Sequence, residues 1–202
     1  MKKSIVRLTY IFTLVLLPII ANADVAYNDS HIRITVIDAG TFRLEYAPDG
    51  RFVDKKSFLA VVRDYEFKDY RVRETAKSVT IQTDKLKLVY RKSEGGFTAS
   101  NLSITSTNLL PYAAKASKSQ KGFTWKPGMQ QQGNLKGTYR TLDGYNGDHR
   151  NNAERTPIPL EDGLLSTDGW TLIDDSNGFL FDGDTDCDWV EKRPCADGAQ
   201  DW

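Results

Sequence analysis

From residue 25 onward the chain alternates apolar and polar side chains over short stretches, and turn residues cut those stretches apart. This pattern constrains the fold most strongly. Successive side chains of a strand point to opposite faces, so a period of two marks a half-buried strand. Ile32, Ile34 and Val36 alternate with His31, Arg33 and Thr35, and Phe42, Leu44 and Tyr46 share one face of Thr41–Tyr46. Phe58–Val62, Tyr70–Glu74, Ser78–Thr83, Leu86–Tyr90 and Leu102–Thr105 complete a set of seven predicted strands. Asp38-Ala39-Gly40, Ala47-Pro48-Asp49-Gly50 and Glu94-Gly95-Gly96 supply turns between them. Helical spacing persists nowhere after the N-terminus. The pattern predicts an all-β, antiparallel sandwich.

The first residues carry a different signal. Lys2, Lys3 and Arg7 precede an apolar run, Ile11–Ile20, and Ala21-Asn22-Ala23 has the small-x-small form of a cleavage site. Residues 1–23 therefore read as a secretory signal peptide. The run contains Pro18 and is shorter than the roughly 20 residues a spanning helix needs. A secreted or periplasmic location follows, with no membrane association after cleavage. Export would expose Cys187 and Cys195 to an oxidising compartment, where a disulfide and two reduced thiols are both open.

The 202 residues balance 27 basic against 27 acidic side chains. Such a chain has no broad positive field to draw nucleic acid. No Gly-rich phosphate loop follows a strand, and no Gly-x-Ser-x-Gly elbow is present. The two histidines, His31 and His149, lie far from either cysteine. No cofactor or metal site is expected. Asp182, Asp184, Asp186 and Asp188 alternate as calcium ligands can, but an EF-hand loop would need Gly and Glu where Cys187 and Arg193 stand. These four read as a solvated strand edge. Trp125, Trp189 and Trp202 could stack on sugars, yet in a sandwich they are expected in the core.

Leu160–Ser176 (LEDGLLSTDGWTLIDDS) is the most distinctive stretch. Trp170–Asp174 and Phe179–Phe181 read as a hairpin around Asp175-Ser176-Asn177-Gly178. Trp170 is then core, and Asp174 and Asp175 are turn formers, as is Asp168.

Four segments, in order, resemble the N-terminal region of family 31 glycoside hydrolases. Phe42–Phe52 (FRLEYAPDGRF) is similar to R-L-E-Y-S-P-D-G-x-F, and Asn134–Gly144 (NLKGTYRTLDG) to N-L-G-G-T-x-R-T-L-D. Gly163–Ser176 is similar to G-L-L-S-R-D-G-W-x-x-x-D-D-S, and Asp197–Trp202 (DGAQDW) looks like the run into a first barrel strand. Lys136 replaces a Gly of the family pattern, and Thr167 replaces an Arg.

The resemblance implies a galactose-mutarotase-like super-sandwich over residues 24–196. Residues 197–202 would begin a linker into a (β/α)8 catalytic barrel, the intramolecular partner. The family acts on α-linked oligosaccharides with retention, using two aspartates on that barrel. The chain shows no alternating βα units, so no catalytic residue transfers to it, and by itself it is expected to be inactive. The resemblance also implies a substrate-facing loop at Thr138–Asp148. Asp143 would accept from sugar hydroxyls, Arg140 would hold Asp143 or the barrel rim, and Tyr145 would offer a stacking face; equally open is that Arg140 and Asp143 pair only to shape the loop. Two alternatives stand beside it: a free-standing carbohydrate-binding module, and a partner-binding sandwich.

Overall fold

The computed structural model describes residues 25–63, 65–106, 123–131, 133–136, 162–181, 190–194 and 196–202. The signal-peptide segment, Arg140, Asp143, Tyr145, His149, Asp182–Asp188 (Cys187 among them), Trp189 and Cys195 lie outside these residues. Among the described residues the chain is all-β, and its ladders are antiparallel.

One sheet contains β1 (Val25–Asn28), β2 (Ile32–Asp38), β3 (Thr41–Tyr46) and β11 (Gln200–Asp201), in the order β1-β2-β3-β11. A second contains β4 (Arg71–Glu74), β5 (Ser78–Gln82), β6 (Leu86–Arg91), β7 (Leu102–Ser106) and β8 (Thr124–Trp125), in chain order. A small third sheet pairs β9 (Phe179–Phe181) with β10 (Val190–Lys192).

Local chemistry sets the connections. The Asp29 carboxylate accepts from the backbone N–H of His31 and Ile32, which turns β1 into β2. Asp38 accepts from the Gly40 N–H in the β2–β3 turn. After β3, Gly50 donates to the Ala47 carbonyl with φ of 73°, the left-handed geometry that favours Gly in this turn.

The alternation predicted for β2, β3 and β5–β7 places one face of each large sheet inside. Ile32, Ile34, Val36 and Leu44 of the first sheet meet Val79, Ile81, Leu88, Tyr90 and Leu102 of the second in one cluster. That shared cluster makes the two sheets a sandwich. Trp125 is buried within it, and Trp170 and Trp202 pack against it.

Two expected strands are absent. Phe58–Val62 forms no strand, and Phe58, Leu59, Val61 and Val62 are all more than half exposed. Its entry alone is paired: Ser57 bridges Leu180, and the Phe58 N–H donates to the Phe179 carbonyl. Trp170–Asp174 is likewise irregular. The turn at residues 175–178 does form, closed by Gly178 N–H to the Asp175 carbonyl at 3.1 Å. However, β9 takes β10 as its partner, in the register Leu180 with Glu191. The Asp174 carboxylate accepts from the Ser176 N–H, and the Asp175 N–H donates to the Asp201 carbonyl of β11 at 2.8 Å, so the chain before the turn is held by other partners than β9. A period-two apolar run cannot report that competition.

Candidate functional site

The first large sheet departs from the expected half-buried pattern. All five residues Ile32–Val36 are buried, so the face carrying Arg33 and Thr35 is covered as well. Cross-strand register explains what lies on that face. Arg33 stands opposite Glu45, and Glu45 stands opposite Asp201 of β11. Arg43 is diagonal to Asp201, within reach of a long side chain.

These side chains form a continuous ionic lattice. Arg33 grips Glu45 through two hydrogen bonds, Nε at 2.7 Å and Nη2 at 2.6 Å. Arg43 grips Asp201 in the same forked way at 2.8 and 2.7 Å, and its Nη2 lies 2.9 Å from Glu45. Arg193 bridges outward, from Asp201 at 2.5 Å to Asp175 at 2.5 Å. Ser57 Oγ donates to Asp175 at 2.5 Å. Arg63 completes the row with longer contacts, 3.2 Å to Ser57 Oγ and 3.4 Å to Asp175. Forked guanidinium–carboxylate pairs are the strong form of this interaction, and burial makes their mutual dependence severe.

The titration behaviour follows. Burial disfavours the charged form of Asp201, yet the Arg43 hydrogen bond and the Arg43, Arg193 and Arg63 charges hold its carboxyl below the ordinary value. Burial lifts Glu45 above its ordinary value against Arg33 and Arg43. Burial also pulls Arg63 down, and the nearby Arg43 charge adds to this.

The reading of Asp175 as a turn former is corrected here. Its carbonyl closes the turn, but its side chain is a buried node of the lattice. Asp174 does act as a turn former, accepting from the Ser176 N–H at 3.0 Å. Sequence reasoning did not identify Arg33, Arg43, Glu45, Ser57, Arg63, Arg193 or Asp201 as a unit. The usable signal was Arg33, Arg43 and Glu45 at alternating positions within two strongly apolar strands.

Beside the lattice lies a groove of about 1260 Å³. Both large sheets contribute to it, together with residues 59–63 and 167–173. Its walls are mainly apolar, with Phe42, Leu86, Ile104 and Phe123 among them, and Arg43, Arg63, Asp175 and Asp201 stand at its polar margin. Trp125 and Trp202 meet edge to face at 6.4 Å, and Trp170 stacks on Phe123 at 6.1 Å. Trp125 is a core residue as expected, and Trp202 is partly buried and packs against the core.

The segment carrying Asn134 docks against the Gly163–Ser166 part of the distinctive stretch. Asn134 donates to the Gly163 carbonyl and accepts from the Gly163 N–H, each at 2.9 Å, and it bridges Ser166. The next turn holds Lys136 at φ of 64°, the one non-Gly left-handed residue among those described. No protein-family model matches the chain, and no curated protein matches it.

The lattice leaves little for acid–base chemistry. Glu45 and Asp201 are each held by two or more guanidiniums, and Asp175 Oδ2 by Arg193, Arg63 and Ser57. Among the described residues no group of three or more His, Cys, Asp and Glu could hold a metal, and no helix is long and apolar enough to cross a membrane.

Proposed function

We propose that this chain is the N-terminal, non-catalytic sandwich of a secreted retaining α-glycosidase of glycoside hydrolase family 31. It supports the catalytic barrel and contributes the Thr138–Asp148 loop, with Arg140, Asp143 and Tyr145, to the α-linked oligosaccharide pocket. The carrying observation is the backbone at Lys136. The family pattern has Gly at this position, and the chain adopts φ of 64° there, a conformation Gly takes without strain.

The shared motifs also have a structural reason to travel together. Arg43 and Glu45 come from the first resembling segment, Asp175 and Ser176 from the third and Asp201 from the fourth. They meet in one buried lattice, where Asp201 N–H donates to Ser176 Oγ at 3.0 Å. Motifs selected for holding a sandwich together fit a supporting domain. The burial of Trp125 weighs against a free-standing sugar-binding platform, because a stacking face must be open to the ligand.

Two measurements test the reading. Purified residues 24–202 should leave aryl α-glycosides unhydrolysed, and clear turnover would overturn it. The reading frame downstream of the Trp202 codon should continue into alternating βα units. A stop codon directly after Trp202 would count against it.

A further inference from the structure

The side chain of Asn134 is saturated. A carboxamide can donate two hydrogen bonds and accept two, and Asn134 makes all four. Its Nδ2 donates to Gln131 Oε1 at 2.5 Å and to the Gly163 carbonyl at 2.9 Å. Its Oδ1 accepts from the Lys136 N–H at 2.7 Å and from the Gly163 N–H at 2.9 Å. Full engagement on both sides of the amide fixes the side chain in one orientation. Asn134 is only partly buried, so these bonds do not serve to satisfy a core. They join two segments.

Those segments are the stems of residues 137–161, a stretch that lies outside the described residues. Residues 133–136 lead into it and residues 162–167 lead out of it. Backbone bonds link the stems on either side of Asn134: the Leu135 N–H donates to the Leu165 carbonyl at 2.9 Å, and the Thr167 N–H to the Gly133 carbonyl at 3.0 Å. The Lys136 ammonium pairs with Asp162 where the stems part. The approach is close, since a Cβ on Gly133 would stand 1.9 Å from Thr167 Oγ1. The clasp is also tied to the core. Gln131 Nε2 and Ser166 Oγ both donate to the Trp170 carbonyl, and Trp170 packs against the central cluster. Closing a long excursion costs mainly the entropy of bringing its ends together. Here one side chain bonds to both ends and to the group that fastens them to the sandwich.

We propose that Asn134 is a positioning residue for substrate binding. It sets where residues 137–161 leave and rejoin the sandwich, and through them it sets the affinity for the α-linked sugar. The inference rests on the reading that Arg140, Asp143 and Tyr145 of that stretch face the substrate. Asn134 acts through the stretch it anchors and requires no substrate contact of its own. Its loss weakens ground-state and transition-state binding alike, which raises KM and leaves kcat unchanged.

The clasp is tested in residues 24–202 by amide hydrogen exchange. Asn134→Ala should speed exchange at Lys136 and Gly163, whose N–H groups it frees, by about tenfold, with the melting temperature unchanged. Unchanged exchange at both positions overturns the inference. So does a lowered melting temperature, which would make Asn134 a general structural residue. The binding role is tested in the full-length gene product with para-nitrophenyl α-glucoside, α-xyloside and α-galactoside. On whichever is hydrolysed, Asn134→Ala should raise KM about tenfold, with kcat changed by less than about twofold. Gln131→Ala removes one of the four bonds and should raise KM in the same direction by less. This second variant decides the matter if the first does not fold. An unchanged KM, or a fall in kcat alone, overturns the inference while the family reading stands. No hydrolysis of the three glycosides by the unaltered gene product overturns the family reading and the inference with it.

Discussion

The two large sheets solve the same problem by different physics. The β4–β8 sheet buries one face and leaves the other to solvent: Val79, Ile81, Leu88 and Tyr90 are inside, while Gln82, Lys87 and Arg91 are exposed. The β1-β2-β3-β11 sheet is covered on both faces where β2 and β3 run together. Its inner face is apolar, and its outer face carries Arg33, Arg43, Glu45 and Asp201 under the 175–178 turn and Arg193. An apolar face is stabilised by whatever removes it from water, so its partner is interchangeable. A buried ionic face is stable only with every charge matched. The difference teaches that the second sheet holds the sandwich together, whereas the first also fixes which distant segments lie on it.

The largest effect should come from breaking the ionic face. Arg193→Ala removes the guanidinium joining Asp175 and Asp201, and should cost about 3–5 kcal/mol in urea unfolding, with β11 and the 175–178 turn losing amide protection first. Leu88→Ala, the equivalent deletion on the apolar side, should cost about 2–5 kcal/mol without that selective loss. A uniform loss of protection in both variants would show that the two faces do not differ as described.

Acid should separate the sheets further. The folded-state pKa of Asp201 is depressed, so the native state binds fewer protons than the unfolded chain. Its contribution is complete above the ordinary carboxylate value of about 4 and is lost as pH falls through the lowered value. Asp201→Asn should therefore unfold more easily at neutral pH and show a shallower loss of stability below about pH 4. An unchanged acid limb would remove Asp201 as the titrating node.

The smallest effect lies outside both sheets. Lys136→Gly should stabilise the chain by about 1 kcal/mol, since a left-handed non-Gly residue costs roughly 1–2 kcal/mol. The Lys136–Asp162 ion pair lost with it is half exposed and offsets little. Destabilisation in this variant would remove the main support for the family reading.

Much of the fold was legible in the residues. Alternation located β2, β3 and β5–β7, and Asp38-Ala39-Gly40 and Ala47–Gly50 located turns, because these signals act within a few residues of the chain. The Phe58–Val62 run misled, since a row of apolar side chains looks alike whether it enters a core or rims a groove. The candidate site was almost illegible. Arg33 and Glu45 read as solvent-facing because polar residues at alternate positions normally are. Nothing near Arg43 announces Asp201, 158 residues away.

The sequence by itself determined the class of this protein, all-β with antiparallel pairing, because period-two burial and turn geometry are local and act within a few residues of the chain. Only the tertiary structure decided that the outer face of β2 and β3 is buried. Charge matching in a low-dielectric interior is a property of groups brought together from across the chain, and no single stretch of residues contains it.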